Sequence, residues 1–447
     1  MNKTVVIDIV GLSSSLIGEH TPFLKKYTAG IPISTITPML PAVTTSVQST
    51  YVTGKLPCEH GIVGNGWYDR VDCEVKFWKQ SNKLVLGDKI WDKAKQQDPG
   101  FTFSNMFWWY NMYSTADYAV TPRPNYLADG RKMPDCYSAP AGLRDELQQE
   151  LGQFPLFQFW GPGANIKSSQ WIADASVFTD KKYDPTLTLI YLPHLDYCLQ
   201  KYGQDPGSIK KELAEIDRVV EQLVNHYSKN ARIILLSEYG ITDVENPVSL
   251  NRILREQGLL QVRTERGLEL LDAGASQAFA VADHQVAHIY INDPSVKAKV
   301  RSILEKVPGV ELILDRAEQQ AYGIHHERAG DLVAMADARS WFTYYFWLDD
   351  AKAPDYARVV DIHKKPGYDP VEMFMSSKLR AAYKLLRKKA GFRYVMDVIP
   401  LDPKLVKGSH GRMGTKKEFH PVLIAEGINQ SEIKATDVYD VIWNTLN

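Results

Sequence analysis

Two residues stand out for what their chemistry demands of their surroundings. Asp8 lies inside Thr4-Val5-Val6-Ile7-Asp8-Ile9-Val10, an apolar run closed by Gly11. A carboxylate buried in such a strand is costly unless a hydrogen-bonding partner or a metal ion satisfies it. Thr44 lies in Pro41-Ala42-Val43-Thr44-Thr45-Ser46, where a helix running towards Thr53 is expected to begin. A threonine there caps the helix, or serves as a nucleophile, because the helix dipole and a coordinated cation both favour the alkoxide. Residue type and spacing leave both roles open. The segment His60-Gly61-Ile62-Val63-Gly64-Asn65 follows, and Asn65 brings an amide able to donate to an anionic oxygen.

These residues need elements to position them. Short apolar runs at residues 4–10, 186–192 and 231–236 read as buried strands, and each ends near a polar residue: Asp8, then His194 and Asp196, then Ser237 and Glu238. Between them the spacing predicts a helix over residues 208–227, with Ile209, Leu213, Ile216, Val219, Val220 and Leu223 on one face. Strands alternating with helices predict an α/β fold with a mostly parallel central sheet sandwiched by helices. Ligands bind beyond the carboxyl ends of such strands, where these polar residues fall.

The core is expected to comprise residues 1–260 and 340–447, with an aromatic-rich insertion over about 66–175 that includes Phe107-Trp108-Trp109-Tyr110. That insertion reads either as an aromatic mini-core or as a wall facing a substrate. Residues 261–339 predict a smaller α+β lid, with strands at 286–291, 310–314 and 332–335 around a helix at 295–306.

Composition narrows the function classes. A chain of 447 residues exceeds what one hydrophobic core usually organises. The net charge of -1 offers no basic surface for a nucleic-acid polymer. Cys58, Cys73, Cys136 and Cys198 lack the spacing of a zinc knuckle or a disulfide framework. No run of about 18 apolar residues predicts a membrane span, and the first strand begins at once after Met1-Asn2-Lys3. These features lead to the expectation of a cytoplasmic protein with no membrane partner.

Asp8 in its strand, Pro41-x-x-Thr44, Val52-Thr53-Gly54-x-x-Pro57 and His60-Gly61-Ile62-Val63-x-Asn65 together resemble the nucleotide pyrophosphatase/phosphodiesterase branch of the alkaline phosphatase superfamily. The resemblance implies an alkaline-phosphatase-like core, a small-molecule phosphoester substrate, and two divalent metal ions, zinc first, with manganese or magnesium as alternatives. It implies that Thr44 is both nucleophile and metal ligand, passing through a phospho-threonine intermediate, and that Asn65 holds a phosphoryl oxygen. Asp8, Asp196, Glu238 and His410 take the places of further metal ligands. The sequence departs from the family pattern at three points. Thr45-Ser46-Val47-Gln48 replaces Phe-Pro-Asn-His, Gln200 stands four residues after Asp196 where histidine is expected, and Glu238-Tyr239 replaces Asp-His. Such an oxygen-rich set suits harder cations.

Other histidines are candidates to replace the missing imidazoles. His363, in a polar loop over residues 361–369, is a candidate metal ligand or substrate contact. His194 is expected to share a face with Asp196 if the strand continues that far, and to reach substrate together with Tyr239. His325 with His326, and His284 with His288, read as structural or supporting pairs, and Asp331 as the anchor of a strand turn. The competing readings are a phosphomonoester or phosphonate hydrolase, a phosphotransferase, or a ligand-binding relative that has lost catalysis.

Overall fold

The structure, a computed structural model, describes residues 1–392 and 394–447. Its centre is a nine-stranded sheet. From edge to edge the order is Glu432–Lys434, Ile33–Thr37, Val422–Ala425, Arg232–Leu236, Thr4–Ile9, Leu187–Leu192, Phe103–Met106, Tyr118–Pro122 and Cys136–Ala139. The five strands from Arg232–Leu236 to Tyr118–Pro122 run parallel. Val422–Ala425 is antiparallel to both neighbours and Cys136–Ala139 to its one, so the sheet is mixed around a parallel heart. Thr4–Ile9 is buried at every position because strands pair on both sides and helices cover both faces. The helix Pro206–Tyr227 starts where Asp205 accepts hydrogen bonds from the Gly207 and Ser208 amides, two residues ahead of the predicted start.

The stretch over 66–175 is not one insertion. Three of its segments, Phe103–Met106, Tyr118–Pro122 and Cys136–Ala139, complete the central sheet. Phe107 packs with Phe154, Phe159 and Trp171 in the main core, whereas Trp78, Trp109 and Trp160 face a cleft. The aromatic residues of this stretch therefore divide between the main core and the wall of a cleft.

The smaller subdomain is a four-stranded antiparallel sheet in the order Ala278–Asp283, Val286–Ile291, Leu332–Ala336, Val310–Asp315, with the helix Lys297–Leu304 beside it. Its hydrophobic core extends past the expected limit at 339. Phe342, Tyr344, Tyr345, Phe346, Trp347 and Tyr356 belong to it, because this aromatic run packs on the subdomain sheet rather than on the central one. Among the described residues no helix is long and apolar enough to cross a membrane.

Candidate active site

The cleft lies between the two hydrophobic cores, at the carboxyl ends of the parallel strands, and encloses about 1930 Å³. Thr44, Asp196, Tyr239 and His284 reach its floor, while Trp78, Trp109, Trp160, Tyr197 and Tyr368 form its walls. Asp8 sits in Thr4–Ile9, Glu238 lies two residues past Arg232–Leu236, and Asp196 is in the first turn of the helix His194–Tyr202.

Thr44 is the first residue of the buried helix Thr44–Thr53. The capping position belongs to Val43, which has no side-chain acceptor, so the capping role is not taken by Thr44. Thr44 Oγ1 instead lies 2.9 Å from Tyr239 Oη, and Tyr239 Oη lies 3.2 Å from Asp196 Oδ1. A carboxylate accepts, so Tyr239 donates to Asp196 and Thr44 donates to Tyr239. One turn further along the helix, Gln48 accepts from the Trp109 amide at 2.7 Å. This fixes its amide orientation, and Gln48 Nε2 stands 2.5 Å from Glu238 Oε1 and 3.5 Å from Asp8 Oδ2.

Burial governs the charges here. It pushes the Asp8 carboxyl up to about 7 and raises Glu238 well above its usual value, the Asp8 charge adding to the second shift. Asp196 is likewise pushed up to about 7 by burial, against the hydrogen bonds from Gln200 and Tyr239. Desolvation also holds His410 and His284 well below the ordinary imidazole value, so both rings are neutral.

Asn65 partly departs from expectation. Its Oδ1 accepts from the Thr45 amide at 3.1 Å, so that amide is not free for a phosphoryl oxygen. Its Nδ2 donates to Asp283 Oδ1 at 3.1 Å, which leaves one N–H for a ligand. Tyr239, expected to reach substrate, contacts Thr44 directly. His194 does not reach the site. The strand stops at Leu192 and a helix begins, so residues 194 and 196 point apart, and the His194 ring lies near Glu215 on the neighbouring helix at 3.9 Å. His363 lines the cleft but not its floor. It donates to the Phe77 carbonyl at 3.4 Å, with Lys132, Asp361 and Arg123 around it. It is therefore not gathered with Asp8, Glu238, Asp196 or His410. His326 approaches Gly61 and bonds within its own loop, and Asp331 anchors the Ile291 amide.

The implied metal ions can be tested against these atoms. Asp8 Oδ1 and Glu238 Oε2 are sealed from water without a hydrogen-bond partner. Two buried carboxylates with orphaned oxygens beside the Thr44 hydroxyl fit a hard, oxygen-preferring divalent cation. On the other side Asp196 accepts from both Gln200, at 2.8 Å, and Tyr239, and Gln200 Oε1 accepts from Tyr368 at 3.0 Å. The two replaced positions thus hydrogen-bond instead of presenting lone pairs, and only His410 Nε2 remains orphaned among the expected ligands there. Among the described residues, no three His, Cys, Asp or Glu side chains stand close enough to close a metal shell unaided.

Sequence reasoning passed over Asp283, Gln48 and Tyr368. Asp283 binds the Asn65 amide N–H at 2.8 Å as well as its side chain, and His284 stacks between His410 and Tyr368. The available signal was the apex Asp283-His284-Gln285, three polar residues between apolar strands where a glycine or asparagine turn is usual.

Comparisons with known proteins identify the family and the fold. Residues 4–369 match the family described as type I phosphodiesterase / nucleotide pyrophosphatase. Ectonucleotide pyrophosphatase/phosphodiesterase 2 of Saccharomyces cerevisiae is 24% identical over 385 residues, covering 80% of this chain and 68% of the relative. An uncharacterized pyrophosphatase/phosphodiesterase of Schizosaccharomyces pombe is 25% identical, over 57% of this chain and 47% of its own length. Among solved structures, murine ectonucleotide pyrophosphatase / phosphodiesterase 5, as an inactive variant in complex with AMP, aligns with a TM-score of 0.61 at 14% identity, covering 100% of this chain and 95% of that one. Phosphonoacetate hydrolase from Sinorhizobium meliloti 1021, with phosphonoacetate, gives 0.61 at 14% identity over 100% and 96%. The fold is thus an alkaline-phosphatase-like α/β fold. The chain belongs to the type I phosphodiesterase / nucleotide pyrophosphatase family of the alkaline phosphatase superfamily, a family of phosphoric ester hydrolases.

Proposed function

We propose that the chain hydrolyses phosphodiesters, including nucleotide-linked ones, with Thr44 as the nucleophile. The observation that carries this reading is the Thr44 hydroxyl, held at the start of a buried helix and bonded to Tyr239, on the floor of an aromatic-walled cleft. In the first step a bond forms from Thr44 Oγ1 to phosphorus and the bond to the leaving oxygen breaks. The Thr44 proton leaves along the hydrogen bond to Tyr239, which itself donates to Asp196. Water then cleaves the phospho-threonine and restores the hydroxyl. The remaining Asn65 N–H is placed to bind an equatorial oxygen, because Asp283 and the Thr45 amide hold that side chain in place.

Asp8, Glu238 and Thr44 would hold a divalent cation of the magnesium or manganese kind, which when bound favours the alkoxide and neutralises phosphoryl charge. Two features support a diester over a monoester. Asp196 on the floor and Asp8 and Glu238 buried behind it penalise a dianionic phosphoryl group more than a monoanionic one. The cleft also has room and aromatic faces for a second ester substituent, with Trp78 and Trp109 4.8 Å apart and Trp160 5.6 Å from Tyr368. A comparison of aryl phosphodiester, phosphomonoester and phosphonate turnover tests the reading. A diester should be turned over fastest, and a monoester or phosphonate turned over much faster than the diester would overturn the substrate class.

A further inference from the structure

We propose that the helix Lys378–Lys389, at the mouth of the cleft, docks the chain on an anionic lipid surface. This goes beyond the hydrolytic reading and rests on none of its residues.

The helix lies with its apolar stripe outward. Ser377 caps it by accepting from the Arg380 amide at 3.2 Å. Leu379, Tyr383 and Leu386 follow at the i, i+4, i+7 spacing that gathers side chains on one face. In a surface helix such a face normally turns to the core. Here it turns to solvent, with Leu379 84% exposed, Leu386 71% and Tyr383 57%. The other side meets the protein, where Ala381 is buried and Leu385 and Lys388 line the cleft. Beyond the helix the exposed Phe392 and Val395 extend the apolar surface along the rim of the cleft. Single exposed leucines are ordinary, but an apolar stripe of this kind marks a contact surface.

Charge selects what covers it. Residues 378–389 hold six basic residues and no acid, and no Asp or Glu occurs between Glu372 and Asp397. Asp397 pairs with Arg380 and, at 2.8 Å, with Lys384, which fixes the helix to the chain behind it. Helical geometry sets Lys378 and Lys389 on one flank of the stripe and Arg387 on the other. Arg387 lies over the Tyr383 and Phe392 rings at 6.0 and 5.8 Å. An apolar stripe rimmed by lysine and arginine suits acyl chains below and anionic headgroups around it. A second copy of the chain fits worse, since a two-fold contact through this stripe would set basic flank against basic flank. A polynucleotide would leave the leucines uncovered. A groove that encloses a helix would need the inner face, which the protein itself occupies. The lack, among the described residues, of a helix able to cross a membrane does not bear on lying against one. Because the inner face lines the cleft, a chain seated this way holds the cleft mouth beside the lipid surface.

The test is co-sedimentation of the purified full-length chain with vesicles of phosphatidylcholine and phosphatidylglycerol in equal parts, against phosphatidylcholine alone. Binding to the mixed vesicles should be at least about tenfold tighter, since each basic residue near an anionic surface contributes about fivefold. Leu379→Ser/Leu386→Ser should weaken it at least about tenfold, because both side chains leave water on docking. Both positions are exposed, so the melting temperature of that variant should not change. Hydrogen exchange over residues 378–389 should slow when mixed vesicles are added, which locates the contact without any substitution. Absence of binding, binding that the leucine variant retains, or unchanged exchange in this helix would overturn the proposal. So would a dimer that the leucine variant abolishes, or capture of a polynucleotide, in a chain that does not sediment with the vesicles. Each of these results stands whether or not the chain cleaves a soluble phosphodiester.

Discussion

The Asp8–Glu238 side of the site offers only carboxylate and hydroxyl oxygens beside an amide, whereas the Asp196–His410 side is faced with imidazole and phenol rings. On the first side the ligand candidates come from one strand, the end of its parallel neighbour and the helix above them, all within the main core. On the second, Tyr239, His410, His284 and Tyr368 stack in sequence at 3.6, 3.8 and 3.7 Å, and this column joins the central sheet to the smaller subdomain. One side is an electrostatic cost held by the core. The other is a packed, neutral column whose free lone pairs depend on how two subdomains meet.

This difference can be broken at several points. Removing the residue the two sides share should have the largest effect. Thr44→Ala is expected to lower phosphodiester turnover by about 10⁴-fold or more while leaving the melting temperature nearly unchanged, measured by steady-state kinetics beside calorimetry. Next, Tyr239→Phe keeps the ring stacked on His410 but deletes the hydroxyl between Thr44 and Asp196. Its kcat should fall about 100-fold with little change in KM. Glu238→Gln removes one of two adjacent buried carboxylates, so the chelator-treated protein should gain about 1–3 kcal/mol of stability in denaturant titrations and lose activity. A loss of stability instead would show that the pair is already satisfied.

The last effect is on acid stability and lies away from the floor. Burial lowers His60 to about 3 and His288 to about 4, each ring being hydrogen-bonded in its neutral form. In the unfolded chain both rings regain a value of about 6.5, so it takes up protons first as the pH falls. Stability should therefore decline as pH drops below about 6.5, by up to roughly 1.4 kcal/mol per pH unit for each ring, and level off near the folded values. Thermal melts across that range measure it, and replacement of His60 by asparagine should flatten the slope.

The strands bearing Asp8 and Glu238 were legible because buried parallel strands are continuous apolar runs, in which a carboxylate is conspicuous. Thr44, Asn65, Asp196 and His410 could be named as candidates because their order and spacing carry the family pattern. His194 failed as a candidate because the strand gives way to a helix at Pro193, which replaces a two-residue period with a 3.6-residue one. The edge strands Tyr118–Pro122 and Cys136–Ala139 were hidden in an aromatic stretch whose residues divide between core and cleft. Gln48 and His284 were beyond reach for a different reason. Their roles rest on tertiary contacts, with the Trp109 amide and with the His410 loop, that no local period encodes.

The most direct test of the account is to look for the covalent intermediate. Rapid mixing of the divalent-cation-loaded chain with an aryl phosphodiester, acid quenching within one turnover, and peptide mass spectrometry should find a phosphoester on Thr44, absent from Thr44→Ala. Burst release of the aryl group with no modified Thr44, or full turnover by Thr44→Ala, would contradict the assignment of Thr44 as the nucleophile.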